Sequence, residues 1–106
     1  MRFPIRLLAM TAMSCCGIAS AGQDTAMAQA RSIADTFCVT CHGSNGVSVV
    51  DHYPSLAGQK AAYLEKQMNA FRDGTRQDDI MMNMVTALDA PVIKALADYY
   101  ASQKLP

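Results

Sequence analysis

The ten residues FCVTCHGSNG, residues 37–46, decide how the rest of the chain is interpreted. Cys38 and Cys41 are separated by two residues, and His42 follows the second cysteine directly. A cysteine pair at this spacing serves as a redox dithiol, as half of a zinc site or as a covalent attachment point for a prosthetic group. The context of the motif within the 106-residue chain discriminates among these possibilities.

The start of the chain has the three-part pattern of an export signal. Two arginines precede the apolar run LLAMTAMSCCGIA, residues 7–19, which is too short to cross a bilayer as a mature anchor. Small-residue cleavage patterns end at Ala21 and, as a second candidate, at Ala28. We therefore expect residues 1–21 to be a cleaved signal peptide and residues 22–106 to form one domain, which is exported to the periplasm.

Two further cysteines, Cys15 and Cys16, lie inside this expected signal peptide. A lipid-modified N-terminal cysteine is a minority interpretation, because the residues before Cys15 lack the leucine typical of such a site. Loss of Arg2 and Arg6 with the signal leaves seven basic residues against nine acidic ones, a net charge of −2. This balance does not favour a nucleic-acid partner, which calls for a basic patch. No later stretch is long and apolar enough to predict a membrane span.

The remaining sequence predicts a small all-α domain with three main helices and long loops. The first helix covers residues 27–40, the second covers residues 60–72, and the third begins at Asp89, a plausible N-cap. The stripe of the first helix comprises Ala30, Ile33, Ala34, Phe37 and Cys41. Residues 44–59 have no periodicity and predict a loop. The methionine-rich residues 75–88 are undecided in structure.

A mature domain of about 80 residues without tryptophan has a hydrophobic core worth only a few kcal/mol. Such a chain gains much from a disulfide, a metal or a buried cofactor. A loop longer than about 12 residues is also uncommon in a compact domain unless it is functional. Here the longest loop follows the cysteine motif, which indicates that the chain wraps around a bound group.

The surroundings of CVTCH argue against three of its possible roles. A thioredoxin-like dithiol sits at a helix N-terminus after a strand, whereas this motif ends a helix. A zinc site needs four ligands, and His52 is the one other histidine. A disulfide across two residues closes a very small ring and leaves His42 without a role. The pattern C-x-x-C-H is that of covalent haem attachment, in which the histidine ligates the iron and its other N–H needs an acceptor.

Four segments of the chain resemble class I c-type cytochromes, most closely the short bacterial mono-haem type similar to one domain of the cytochrome c-four group. These segments are CVTCHG, YPSLAGQ, YLEKQMNAFRDG and MMNMVTALDAPVIKALADYYASQ, and they follow the order of the family. The resemblance implies a cytochrome c fold around one haem c, bound covalently by Cys38 and Cys41. It also implies that His42 is the proximal iron ligand and that the carbonyl of Pro54 accepts the histidine N–H.

A methionine is expected to be the second axial ligand, and the candidates are Met68, Met81, Met82 and Met84. Met68 lies on the apolar stripe of the second helix, where packing is the usual role of methionine. The residues alone do not separate the other three. The family pattern places the ligand seven residues before the hydrophobic residue that precedes the last helix, here Leu88. The resemblance therefore implies Met81 as the ligand, with Met84 as the runner-up.

Other residues near these motifs receive more ordinary interpretations. His52 is expected to be an exposed loop histidine, and Tyr99 and Tyr100 are expected to pack against the first helix. Arg72 and Arg76 are candidates for a position near a haem propionate, but solvated arginines are more common, so neither is assigned a role.

Iron held by both histidine and methionine has no open position for a substrate. The sequence therefore favours a periplasmic electron carrier, not an enzyme, that docks transiently with redox proteins through small interfaces. The alternative is a haem c subunit of a larger oxidoreductase, such as a sulfide-oxidising flavocytochrome. A third hypothesis, a five-coordinate haem that binds gas or peroxide, requires the methionine to be absent or labile.

Overall fold

The computed structural model describes the backbone of residues 18–106 and the side chains of residues 21–106. Most of the expected signal peptide, with Cys15 and Cys16, lies outside this range. Five helices follow in order: α1 Ile18–Ile33, α2 Val39–His42, α3 Ala61–Asp73, α4 Asp79–Val85 and α5 Ala90–Ala101. A π-helical turn, Ala34–Cys38, joins α1 to α2. The described range contains no strand, and the predicted all-α fold class is confirmed.

The core forms where α1 and α3 pack against α5. Ala26, Ala30 and Ala34 are spaced by four residues, so they share one face of the first helical stretch, and all three are buried. Their small side chains let α5 approach closely. The inner face of α5 carries Ile93, Leu96, Ala97 and Tyr100, which are all buried.

The π-helical turn corrects the predicted stripe of the first helix. Phe37 was expected in the core, but its side chain is 58% exposed. A π-helical turn adds a residue to the turn, so the residues after Ala34 are rotated relative to an ideal α-helix. Phe37 consequently leaves the buried face that Ala30 and Ala34 share and lines a cavity instead.

Helix boundaries follow the capping signals in the sequence. The side chain of Asp89 accepts a hydrogen bond from the Val92 N–H at 3.0 Å, as expected of an N-cap. Gly74, at φ +82°, ends α3 in the left-handed conformation that favours glycine. These two signals confirm the predicted end of the second helix and the predicted start of the last.

The methionine-rich segment, undecided from sequence, contains the short helix α4. Asp78 caps it, because its Oδ1 accepts a hydrogen bond from the Met81 N–H at 2.9 Å. Val85 is the buried residue of this helix. Helix α4 is therefore held in place by one buried apolar residue, Val85, and one N-cap, Asp78.

Within residues 18–106, no single helix is long and apolar enough to cross a bilayer. Helices α4 and α5 together meet the length and hydropathy requirement, but they are bent by 115° relative to each other. Most of α5 is buried in the core, and core helices meet the same requirement.

Candidate haem site

A mostly apolar cavity of about 940 Å³ lies between the cysteine motif, the loop that follows it, α3 and α4. Its volume falls in the range of cavities that hold cofactors. All the predicted site residues line it: Cys38, Cys41, His42, Pro54, Met81 and the runner-up Met84. The fold therefore brings together residues that are far apart in sequence around one space.

His42 is held in one orientation inside this cavity. Its side chain is 8% exposed, and its Nδ1 lies 2.8 Å from the carbonyl oxygen of Pro54. A carbonyl can only accept, so Nδ1 carries the proton and donates it. This tautomer leaves the lone pair of Nε2 free to bind a metal, and it supplies the acceptor that a ligating histidine needs.

The loop between His42 and α3 is ordered by its own hydrogen bonds. Gly43 begins it at φ +78° and ψ 171°, a conformation that is essentially restricted to glycine. A Cβ atom at Gly43 would lie only 1.9 Å from the carbonyl oxygen of Val47. Further along, the Ser48 N–H donates to the Ser55 Oγ at 3.0 Å, next to Pro54. The long loop predicted from sequence is thus a defined structure that presents the Pro54 carbonyl to His42.

The two cysteines are free thiols at the edge of the cavity, and both are half-buried. Burial raises the pKa of the Cys38 thiol, which outweighs the lowering effect of the Tyr100 hydroxyl. A reactive dithiol needs a lowered pKa, so this environment argues against a redox dithiol. It suits side chains that end as uncharged thioethers.

Two methionines of α4 face the cavity together. Met81 and Met84 are three residues apart, so they lie on the same side of the helix, and both line the cavity. Met81 is half-buried, whereas Met84 is 45% exposed. Met82 does not belong to the lining. Met68 reaches both the core and the cavity, in agreement with a packing role.

Arg76 lines the cavity, although no role was assigned to it from the sequence. Its guanidinium carbon lies 4.6 Å from the centre of the Phe71 ring, and its Nη1 donates to the Gln67 Oε1 at 2.7 Å. Among the described residues, it is the one lysine or arginine in the cavity lining. Its position in the turn that leads into the methionine-rich segment is the sequence signal that could have identified it. His52 is exposed, as expected, and lies at the rim.

Comparisons with known proteins identify the family to which the chain belongs. The family model Cytochrome c matches residues 27–104. A thiosulfate dehydrogenase electron acceptor from Stutzerimonas stutzeri is 43% identical over 68 residues, which cover 61% of this chain and 32% of that protein. Cytochrome c-554(548) from Halomonas halodenitrificans is 41% identical over 70 residues, which cover 63% of this chain and 84% of that protein.

A solved structure gives the same result for the fold. Reduced recombinant cytochrome c4 from Pseudomonas stutzeri superposes with a TM-score of 0.64 at 32% identity, over 80% of this chain and 50% of that chain. This chain thus spans about half of that cytochrome and about a third of the Stutzerimonas relative. The fold, the family model and the relatives agree that the chain belongs to the cytochrome c family, in which it resembles cytochrome c4.

Proposed function

We propose that this chain is a one-electron carrier with a single haem c, attached through Cys38 and Cys41. His42 and Met81 are its axial ligands in this proposal. One observation carries it: the His42 Nδ1–H bond to the Pro54 carbonyl, at 2.8 Å, inside a cavity that the cysteines and methionines also line. When bound there, haem supplies an iron that changes its charge by one electron.

The residues around the cavity favour a carrier over a catalyst. The Pro54 carbonyl fixes the His42 ring and increases the basicity of Nε2. With haem bound, a thioether ligand from Met81 would raise the reduction potential. Two protein ligands would leave no coordination position for a substrate. The apolar lining keeps water away, so little reorganisation accompanies electron transfer.

Arg76 provides the positive charge that the haem carboxylates require. A carboxylate is stabilised by an opposite charge held near it. The Phe71 ring and the Gln67 amide hold the guanidinium at the cavity, so the arginine is largely preorganised. This placement supports a role for Arg76 in holding the haem periphery.

We place the protein in the periplasm, exported by the signal at residues 1–21. The burial pattern supports cleavage after Ala21 rather than after Ala28. Residues 21–25 are exposed, whereas Ala26 is buried in the core. Cleavage after Ala21 leaves the core intact, but cleavage after Ala28 removes one of its residues. The mass of the exported holoprotein distinguishes the two sites.

The redox partner is proposed to be an oxidoreductase that delivers electrons by transient docking. The relative named as a thiosulfate dehydrogenase electron acceptor favours a thiosulfate-oxidising enzyme as the donor. The second candidate function is a permanent haem subunit of such an enzyme. Stopped-flow mixing with a thiosulfate dehydrogenase should reduce the free monomer, whereas a complex that survives gel filtration would favour the subunit.

The ferric absorption spectrum and a redox titration of the holoprotein test the carrier proposal. We expect the weak far-red band of sulfur-to-iron ligation and a one-electron Nernst slope of about 59 mV per decade. A five-coordinate spectrum in the wild-type protein would contradict the proposal and favour the gas-binding or peroxide-binding alternative.

A further inference from the structure

Gly46 and Tyr100 form a contact between the loop after the cysteine motif and the core helix α5. A Cβ atom at Gly46 would lie 2.6 Å from Tyr100 Cδ1 and 3.0 Å from the Ala57 backbone nitrogen. Gly46 also has a φ of +75°, which favours glycine. The absence of a side chain at this position thus allows the aromatic ring to lie directly on the loop backbone.

The backbone carbonyls of the same two residues also hold the end of the loop, at residues 56–58. The Gly46 oxygen accepts hydrogen bonds from the Leu56 N–H at 2.7 Å and from the Ala57 N–H at 3.0 Å. The Tyr100 oxygen accepts one from the Gly58 N–H at 3.0 Å. Tyr100 is 4% exposed and belongs to the core cluster, so it offers a rigid support.

The loop segment that these contacts hold includes the acceptor of the histidine proton. Pro54 lies two residues before Leu56, whose N–H is bound to the Gly46 oxygen. A displacement of Gly46 would therefore move the Pro54 carbonyl relative to the Nδ1 of His42. The hydrogen bonds from Gly46 to the segment after Pro54 provide the route by which such a displacement reaches the imidazole.

We propose that Gly46 and Tyr100 are positioning residues for the proximal ligand: the Tyr100 ring, seated on Gly46, sets the strength of the His42–Pro54 hydrogen bond. The inference rests on the proposed ligation by His42. It goes beyond packing, because a weaker bond lowers the basicity of Nε2 and thereby raises the reduction potential. The hydroxyl of Tyr100 is not required for this role.

Exchange of the His42 Nδ1 proton with solvent, measured by NMR on the reduced holoprotein, reports the bond directly. We expect Gly46→Ala to accelerate this exchange by about tenfold, because the loop is displaced and opens more often. Gly74→Ala is the matched control, since Gly74 has a φ of +82° and nothing within 4 Å of a Cβ atom. It should leave the exchange rate within about twofold of the wild type. Equal rates in the two variants would overturn the proposal.

Variants of Tyr100 test the role of the ring and keep the proposal testable if Gly46→Ala fails to fold. Tyr100→Phe keeps the ring and should retain the wild-type exchange rate. Tyr100→Leu removes the ring and should accelerate exchange by about tenfold. Acceleration by Tyr100→Phe to the same extent as Tyr100→Leu would contradict the role of the ring and assign the effect to the hydroxyl.

A double variant and the reduction potential provide two further tests. In Gly46→Ala/Tyr100→Leu the smaller side chain relieves the contact between the new methyl group and residue 100, so the acceleration should be smaller than the product of the two single effects. An acceleration equal to or above that product would overturn the steric argument. The reduction potential of Gly46→Ala should rise, because the weaker hydrogen bond favours the reduced form. The expected change is about threefold in the equilibrium constant between the oxidised and reduced forms. A wild-type spectrum without the far-red band would contradict the proposed function, whereas a normal band with unchanged exchange in Gly46→Ala would contradict this inference alone.

Discussion

The wall of the cavity formed by α2 and the following loop (the histidine side) holds His42, which is 8% exposed and donates to a loop carbonyl. The wall formed by α4 (the methionine side) holds Met84, which is 45% exposed on a helix of seven residues. The histidine side is built from backbone hydrogen bonds and glycines in conformations that other residues rarely adopt. The methionine side depends on one helix cap, at Asp78, and one buried anchor, Val85.

The two proposed ligand positions therefore have different links to folding. Changes on the histidine side should destabilise the whole domain, because the loop there is tied to the core through α5. Changes on the methionine side should release a ligand while most of the fold persists, because regions with few buried contacts open locally. The predictions below test this contrast.

The largest effect is expected at Gly43, where a Cβ atom would meet the Val47 carbonyl oxygen at 1.9 Å. Gly43→Ala should lower the free energy of unfolding of the holoprotein by about 3 kcal/mol or more, from the clash and the disallowed backbone conformation together. Gly74→Ala, with positive φ but open space, should cost about 1 kcal/mol. Denaturant titration measures the loss in free energy of unfolding of both variants. Similar losses would contradict the claim that the histidine side is the more sensitive to substitution.

A smaller effect is expected at Asp78, the N-cap of α4. Asp78→Ala should destabilise the helix by about 1 kcal/mol, while Asp78→Ser keeps a capping oxygen and should cost less. On heating, the far-red band of Asp78→Ala should disappear at a lower temperature than the far-ultraviolet circular dichroism signal. Loss of both signals at the same temperature would mean that the methionine side does not open separately from the rest of the domain.

Removal of the cavity cation should shift the potential modestly. Arg76→Gln takes a positive charge away from the cavity, which stabilises the oxidised form and lowers the reduction potential by about 30 mV, or about threefold in the equilibrium constant. Arg72 is exposed like Arg76 but lies outside the cavity lining, so Arg72→Gln makes the same charge change and should have a smaller effect. Equal shifts would mean that Arg76 acts only through net charge.

The smallest effect concerns Asp73, in the turn that leads towards α4. Hydrogen bonds from the Thr75 hydroxyl at 2.7 Å and the Thr75 N–H at 3.1 Å hold the pKa of Asp73 below its usual value. A lowered pKa in the folded state means that the turn is stabilised above the ordinary carboxyl pKa and loses this stabilisation as pH falls through the folded value. Thr75→Val should raise the pKa in an NMR titration, and an unchanged titration would rule out the hydroxyl as its cause.

The histidine side could be predicted from sequence because its signals are local. The C-x-x-C-H spacing predicts haem attachment and calls for an N–H acceptor. The family resemblance, rather than the motif alone, identified that acceptor as Pro54, whose carbonyl lies 2.8 Å from His42 Nδ1. The caps at Asp89 and Gly74 were likewise visible in a few residues. The all-α fold followed from helical periodicity in three stretches.

The rest depends on tertiary contacts that periodicity does not report. The π-helical turn moves Phe37 from the predicted core stripe to the cavity. Arg76 gains its position from Phe71 and Gln67, which belong to the preceding helix. The choice between Met81 and Met84 came from the resemblance, because both share a face of a helix that the sequence left undecided. Met81 stays a prediction.

The ferric far-red spectrum of Met81→Ala, compared with that of Met84→Ala, tests the central claim most directly. Both substitutions remove a thioether from the same face of α4, so they differ mainly in whether an iron ligand is lost. The account predicts that Met81→Ala loses the far-red band and that Met84→Ala retains it, with haem still attached covalently in both. Survival of the band in Met81→Ala together with its loss in Met84→Ala would contradict the assignment of Met81 as the axial ligand.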